Sequence, residues 1–415
     1  MGYNVLFFPW RDWNAMKVDG FRTREANILL SMINNPNIEK IICVNRAQIP
    51  KYIQLLLALK NGEGFSKKNK DINSDNHVHF DQEKLMYKRL FSQLKLINEK
   101  LVVLDINYHI PNPRGNILER INSVQDILEK EIQVALKTLG FENYITWCFD
   151  LTRIEIARRF KKDVMIFDAI DNLLEHDQKK NDFTYLSEMY RLAKENSNVI
   201  FTVSRDLKES IFSNHHNTFY IPNAINLKSY KQKDLSRPED LPMGKPIVGY
   251  VGLMQERIDT NILEESIVQN SDVNFVFIGP VLSKSHFKNI QKYENVFFLG
   301  SKHHSMIPSY LKYFDVCIIP HKVNKFTKSM NPLKLYEYLA SGKEIITTSV
   351  PPSDEYQHVV HICDGEKEFS QQIMMCIKTP FNRFEEEDIL NAIQSEDWSE
   401  RLKDMLTFIE KELKS

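Results

Sequence analysis

A chain of 415 residues is too long for one ordinary hydrophobic core, so two domains are expected. With 42% hydrophobic and 26% charged residues, the composition is that of a soluble globular protein. The formal net charge of -1 gives no overall positive field for a nucleic-acid backbone, and nucleic acid is not an expected partner. Five cysteines, Cys43, Cys148, Cys317, Cys363 and Cys376, are scattered without Cys-x-x-Cys spacing. That fits a reducing compartment and speaks against a disulfide framework or a zinc site. The N-terminus lacks a basic segment followed by a long apolar one, and no run nears the ~20 apolar residues that span a bilayer. A cytoplasmic protein is expected, free to touch the inner face of the membrane.

Short apolar runs at Val5–Phe8, Ile41–Val44, Leu101–Leu104, Tyr144–Phe149, Val164–Phe167 and Val199–Val203 read as buried parallel strands. Polar segments with helical spacing lie between them, as at Arg24–Ile33 and Ser123–Leu139. The polar stretch from Gly62 to Gln82 reads as a loop or insertion. A second series of runs comprises Ile247–Val251, Phe275–Ile278, Val296–Leu299, Val316–Ile319 and Ile345–Thr348. Residues 228–246, rich in Lys, Asp and Pro, read as a linker between the two series. The expected plan is α/β. It has an N-terminal doubly wound domain over 1–227, a second over 247–384, and a helical tail over 385–415 that can pack back on the first. Ligands of such sheets sit beyond the carboxyl ends of the strands, here in a cleft between the domains.

The most informative segment runs from Lys328 through Met330, Asn331, Pro332 and Leu333 to Thr348. Asn331 suits a helix N-cap, Pro332 the first helical position and Gly342 the helix end. Lys334, Glu337 and Ser341 are three or four residues apart and form a polar stripe beside apolar Leu335 and Leu339. The plain reading is an exposed Lys–Glu pair. The alternative is a ligand site: free N–H groups and the dipole bind a diphosphate, Lys334 adds charge, and Glu337 accepts from ribose hydroxyls.

Asn331-Pro-Leu-Lys-Leu-Tyr-Glu-Tyr-Leu-Ala-Ser-Gly-Lys resembles the donor-site helix of glycosyltransferase family 4 and related bacterial polysaccharide transferases. The resemblance implies the GT-B fold, two Rossmann-like domains facing each other across a cleft. It also implies a Glu at position 337 that holds the nucleotide ribose. Many members carry another Glu eight residues earlier, where this chain has Ser329. Ile247-Val-Gly-Tyr-Val-Gly-Leu253 resembles the first strand and glycine turn of the donor domain, with Gly252 and Leu253 at the ligand; a plain tight turn is the alternative. Relatives often place a basic residue where Arg257 stands, and a guanidinium suits two phosphate oxygens. A solvated loop side chain is the other reading. Ser301, Lys302 and His303 fall where relatives contact the base. Adjacent His303 and His304 lack a third ligand at suitable spacing, so no metal is expected there. The loop His321–Met330, with Lys322, Lys325 and Lys328, is placed to fold over phosphates.

In the first half the resemblance rests on Val164–Asn172, Asn198–Leu207 and Tyr220–Asn226, with Ala224 where Gly is usual. The loop after the first strand borders the cleft in this fold. Asp19, Gly20 and Arg24 are therefore acceptor-side candidates, Arg24 being alternatively a solvated first-turn residue. His109, after another strand, is the candidate for contact with the reacting sugar, a structural His being the alternative. Asp171 either caps a turn or meets the acceptor. The expected reaction moves a sugar from a nucleoside diphosphate, UDP-linked, to a hydroxyl of a glycan or lipid-linked glycan in surface polysaccharide synthesis. Arg257, Lys334 and the helix terminus stabilise the leaving group, His109 stands at the sugar, and configuration is retained. No cofactor is expected, the nucleotide sugar being a substrate. The alternatives are an epimerase of the same fold and a non-catalytic nucleotide-sugar or glycan-binding protein. The lack of a GxGxxG after a strand disfavours an NAD dehydrogenase.

Overall fold

A computed structural model of the chain describes residues 2–47, 83–106, 122–176, 181–230, 235–378 and 386–414. The stretch 62–82 and His109 lie outside the described residues. In chain order the first sheet takes β1 (Tyr3–Phe8), β2 (Ile38–Val44), β3 (Lys84–Lys88), β4 (Ser92–Leu96), β5 (Leu101–Ile106), β6 (Ile145–Cys148), β7 (Val164–Ala169), β8 (Val199–Thr202) and β9 (Thr218–Tyr220). The second takes β10 (Ile247–Val251), β11 (Asn274–Ile278), β12 (Val296–Gly300), β13 (Val316–Ile319), β14 (Glu344–Thr347) and β15 (His361–Ile362).

The strand orders are β3-β4-β5-β2-β1-β6-β7-β8-β9 and β12-β11-β10-β13-β14-β15. Pairing is parallel except at β3–β4 and β4–β5. In each sheet the order reverses beside its first strand, between β1 and β6 and between β10 and β13. Those are the switch points where loops part and a ligand can enter. Helices cover both faces, which explains the unbroken apolar runs. In β1, Leu6 and Phe8 enter one core while Val5 and Phe7 enter the other.

Every run read as a strand is one. β3, β4, β9 and β15 were not anticipated. The β3 side chains Lys84–Met86 are exposed, so no apolar alternation marks that edge. β9 and β15 have three and two residues, too few for a pattern.

The 228–246 linker reading is corrected. Leu241 is buried in the second domain's core, and Asp240 binds the Lys302 ammonium and the Tyr310 hydroxyl. The crossing lies just before, at 222–226, where Ile225 N–H donates to Glu396 O at 2.8 Å and bridges Asp397. The chain thus crosses twice at one place. After the return, the helix Trp398–Lys414 lays Trp398, Leu402, Met405 and Ile409 on the first domain's core. Phe408 stacks on Phe219 with ring centroids 3.8 Å apart.

Gly249, mid-β10, shows how tightly the second domain is packed. A Cβ there would lie 1.9 Å from the Phe314 ring. Gly249→Ala is expected to destabilise the chain by at least about 1–3 kcal/mol, the range for overpacking. Adding Phe314→Leu should recover much of that loss in denaturant unfolding. Additive losses would show that the ring does not set the requirement.

Candidate functional site

The carboxyl ends of β10, β11 and β12 open into an interdomain cavity of about 310 Å³. Two glycines shape its floor. Gly252 and Gly279 have φ of 144° and 139°, accessible mainly to glycine. A Cβ on Gly279 would lie 1.9 Å from Gly252 O, and Gly252 N–H donates to Ile278 O at 2.8 Å. The two turns can pass only as bare backbone, and the Lys334 ammonium comes down on Gly252.

Lys334 belongs to the helix Leu333–Ala340. This helix follows the predicted span, ends at Ser341 and is followed by Gly342 with φ 65°. Its N-cap is Pro332, and no side chain caps it. Asn331 does something else. Its Oδ1 accepts from Asn223 N–H at 3.2 Å, and its backbone oxygen accepts from Asn223 Nδ2 at 2.7 Å. The expected N-cap is a tie to the first domain, and the helix N-terminus stays open toward the cavity.

The exposed Lys–Glu pair is also excluded. Lys334 is 7% and Glu337 9% exposed. Glu337 Oε1 bonds His304 Nε2 at 2.8 Å. Burial alone would raise the Glu337 carboxyl, but His304, with Lys334 and Arg22, holds it below its ordinary value. Among the described residues no carboxylate lies within ion-pair distance of Lys334. Its ammonium sits 4.7 Å from the centre of the Tyr250 ring. Burial and the Arg257 charge, against Glu337, push it well below the ordinary lysine value. Burial with Lys334 and Arg257 does the same to His321, both of whose ring nitrogens are buried without partners. The second domain's wall therefore brings the Lys334 and Arg257 charges together with no carboxylate among the described residues within ion-pair distance of either.

The opposite wall belongs to the first domain. Arg24 lines the cavity, but its guanidinium is largely engaged. Nε meets Asp168 Oδ1 at 2.8 Å, and Nη1 donates to Pro222 O and Asn223 Oδ1 at 3.2 Å each. Neither a solvated residue nor a freely available acceptor contact, it ties the interdomain crossing to β7. Half-buried Asp171 faces Arg257. Burial raises its carboxyl to about 6, with Arg257 opposing.

Gly252, Leu253, Arg257, Ser301, Lys302, Met330, Asn331, Pro332, Leu333, Lys334 and Glu337 all line the cavity. Lys302 is held by Asp240. His303 is replaced by its neighbour: its Nδ1 bonds Ser305 Oγ at 2.8 Å, while His304 reaches Glu337. Lys328 lines a separate pocket with Arg205 and Glu355. Asp19 pairs with Arg11 at 2.6 Å outside the cavity. Gly20, at φ 72°, packs against His303 and His304, so its role is close approach between domains. Ser329, where many relatives have Glu, is fully buried. Its hydroxyl donates to Phe326 O at 2.8 Å, and its backbone oxygen accepts from Ser204 Oγ at 2.8 Å.

Sequence reasoning passed over Trp10, Arg11, Arg22 and Glu25, which line the first-domain wall. Glu25 is 1% exposed, and burial raises its carboxyl to about 7 against Thr23 and Arg11. Only the sequence position of these residues, beside the loop already flagged, pointed to them.

A buried, uncompensated ammonium is costly unless an anion arrives. Lys334→Met should leave the ligand-free chain as stable or more stable, by about 1–2 kcal/mol at most. The same change should weaken binding of a nucleoside diphosphate at least about tenfold, or about 1.4 kcal/mol. Thermal unfolding and calorimetric titration check both; unchanged affinity would show that Lys334 is not at the phosphates.

Residues 245–379 match the family described as Glycosyl transferases group 1. TuaH of Bacillus subtilis (strain 168), named for a glycosyltransferase role in teichuronic acid biosynthesis, is 27% identical over 124 residues. That match spans 29% of this chain and 31% of the relative. Solved structures align over nearly the whole chain. The sucrose-phosphate synthase of Thermosynechococcus elongatus has a TM-score of 0.65 at 12% identity, covering 99% of this chain and 98% of its own. HepE of Anabaena, in complex with UDP and glucose, has a TM-score of 0.63 at 12% identity, covering 99% and 100%. At these identities the likeness is one of fold. Residues 245–379 thus match the Glycosyl transferases group 1 family, and the chain as a whole has the GT-B fold.

Proposed function

We propose that the chain is a glycosyltransferase that moves a sugar from a nucleoside diphosphate sugar, UDP-linked, to a hydroxyl of a glycan or lipid-linked glycan. The carrying observation is the buried Lys334 ammonium, without a carboxylate partner among the described residues, at the open N-terminus of the helix that also bears Glu337. A diphosphate supplies the missing counterion. Glu337, one turn on, is at the reach of a ribose diol, and His304 then yields or shares its hydrogen bond. Arg257 completes the clamp on the leaving group. UDP in the HepE complex supports the choice of nucleotide.

The reaction breaks the bond between the anomeric carbon and the diphosphate oxygen and forms one to the acceptor oxygen. The acceptor proton passes to the departing phosphate on the same face, with retention. No separate general base is required. The role named for TuaH supports a place in surface polysaccharide synthesis. Among the described residues no helix is long and apolar enough to cross a membrane. The proposal has the chain in the cytoplasm, in peripheral contact with the membrane's inner face. No cofactor enters.

Glu337→Ala should abolish the thermal shift caused by the UDP sugar, since a hydrogen bond to a charged group contributes about 1.5–3 kcal/mol. Glu337→Gln should retain part of it. An undiminished shift in Glu337→Ala would remove the ribose assignment. Incubation with the UDP sugar alone should leave its sugar unchanged; rapid conversion without acceptor would identify an epimerase. A retained shift without turnover across a broad acceptor panel would identify a binding protein.

A further inference from the structure

The cleft uses the carboxyl ends of the second sheet. At the opposite ends of β14 and β15 lies a cluster that the proposed reaction does not need. Glu344 opens β14, His361 opens β15, and Cys376 comes from the helix Glu366–Lys378 packed over them. Glu344 and His361 are each 3% exposed. His361 Nε2 lies 2.6 Å from Glu344 Oε2 and 3.6 Å from Cys376 Sγ. One ligand atom from each residue lies within 4.8 Å of the other two.

We propose that Glu344, His361 and Cys376 form a site for a divalent metal ion of the zinc type, stapling the edge of the second sheet to its covering helix. A hydrogen-bonded His–Glu pair explains two of the three residues. The thiol of Cys376, which also accepts from Gln372 Nε2 at 3.5 Å, is brought to the same ring nitrogen from a third element. In a tetrahedral zinc site, with bonds of about 2.0–2.3 Å, neighbouring donor atoms stand roughly 3.3–3.7 Å apart. The Nε2–Sγ separation already fits, and the Nε2–Oε2 separation has only to open. The donor set of thiolate, imidazole and carboxylate selects a borderline-soft cation over magnesium or calcium.

Charge favours the same answer. A dication with one thiolate, one carboxylate and a neutral imidazole is a neutral buried unit, so the desolvation cost of isolated ions falls away. On binding, the Cys376 thiol proton goes to solvent, and His361 gives up the Nε2 proton that it shares with Glu344 and ligates through Nε2 as the Nδ1–H tautomer. Cys376 is half-exposed, which gives water a fourth position and the ion an entry path. Scattered cysteines in the sequence spoke against zinc. The fold assembles the set from positions 344, 361 and 376, a spacing no short motif contains.

The test uses the full chain, stripped with chelator and retitrated with cobalt(II) and zinc. One equivalent of cobalt should bind with a tetrahedral visible spectrum and a near-ultraviolet thiolate charge-transfer band. Zinc should displace it and raise the thermal midpoint by several degrees. Cys376→Ser, at a half-exposed position, should keep the fold by circular dichroism yet lose the charge-transfer band and bind zinc at least tenfold more weakly. Absence of the band in the unaltered chain, or equal zinc affinity in both proteins, would overturn the site. Neither readout depends on glycosyl transfer, so failure here is distinct from failure of the proposed activity.

Discussion

One buried guanidinium anchors the crossing between the two domains. Arg24, 3% exposed, is bonded to Asp168 at the end of β7 and to Pro222 and Asn223 at the crossing. Asn223 in turn holds Asn331 through both its backbone N–H and its side-chain amide. A continuous chain of hydrogen bonds therefore runs from the first domain's sheet to the residue before Pro332. Removing one member strands the others in a dry environment, where an unpaired charge costs several kcal/mol. The knot leaves the first turn of the helix Leu333–Ala340 free for the cleft, because Asn331 is spent on the neighbouring domain.

The two walls of the cleft differ electrostatically for this reason. On the first domain the charges are largely neutralised internally, Arg24 by Asp168 and Arg11 by Asp19. On the second, no carboxylate among the described residues lies within ion-pair distance of Lys334 or Arg257, Asp171 facing Arg257 from the opposite wall, and burial together with their charges pushes the nearby His321 well below its ordinary value. Glu337 is the exception, and His304 satisfies it. The imbalance points inward at one wall only. It therefore gives the cleft one positive side and one largely neutral side. Gly252 and Gly279 set the depth: bare backbone at the two turns, with the Tyr250 ring beside it, lies against the Lys334 ammonium.

Most of the fold was legible because a parallel strand covered on both faces has to be apolar throughout. Val5–Phe8 and Val164–Phe167 satisfy that condition over four consecutive residues. The edges escape it. β3 exposes Lys84, Leu85 and Met86, and β15 consists of two residues held by Ile346 and Thr347. The linker reading failed on composition. Lys, Asp and Pro suggested solvent between domains, yet Asp240 finds Lys302 and Tyr310, and Leu241 finds the core. A polar segment is not a free one when its charges have partners elsewhere.

The site divides along the same line. Lys334 and Glu337 share a helix face by spacing alone, so their stripe could be read before any contact was known. Arg257 and Gly252 follow a strand end, which the α/β plan directs to the cleft. By contrast, His304 rather than His303 reaches Glu337 because of how a turn at 303–305 presents two adjacent rings. Asn331 looks like a cap from its neighbours, but Asn223, 108 positions away, takes its hydrogen bonds. Arg24 has the appearance of a first-turn surface residue until Asp168, 144 positions on, is brought against it. Local spacing determines which side chains of an element share a direction. The partner that waits in that direction belongs to the tertiary fold, and it decides whether a charge is structural or available to a ligand.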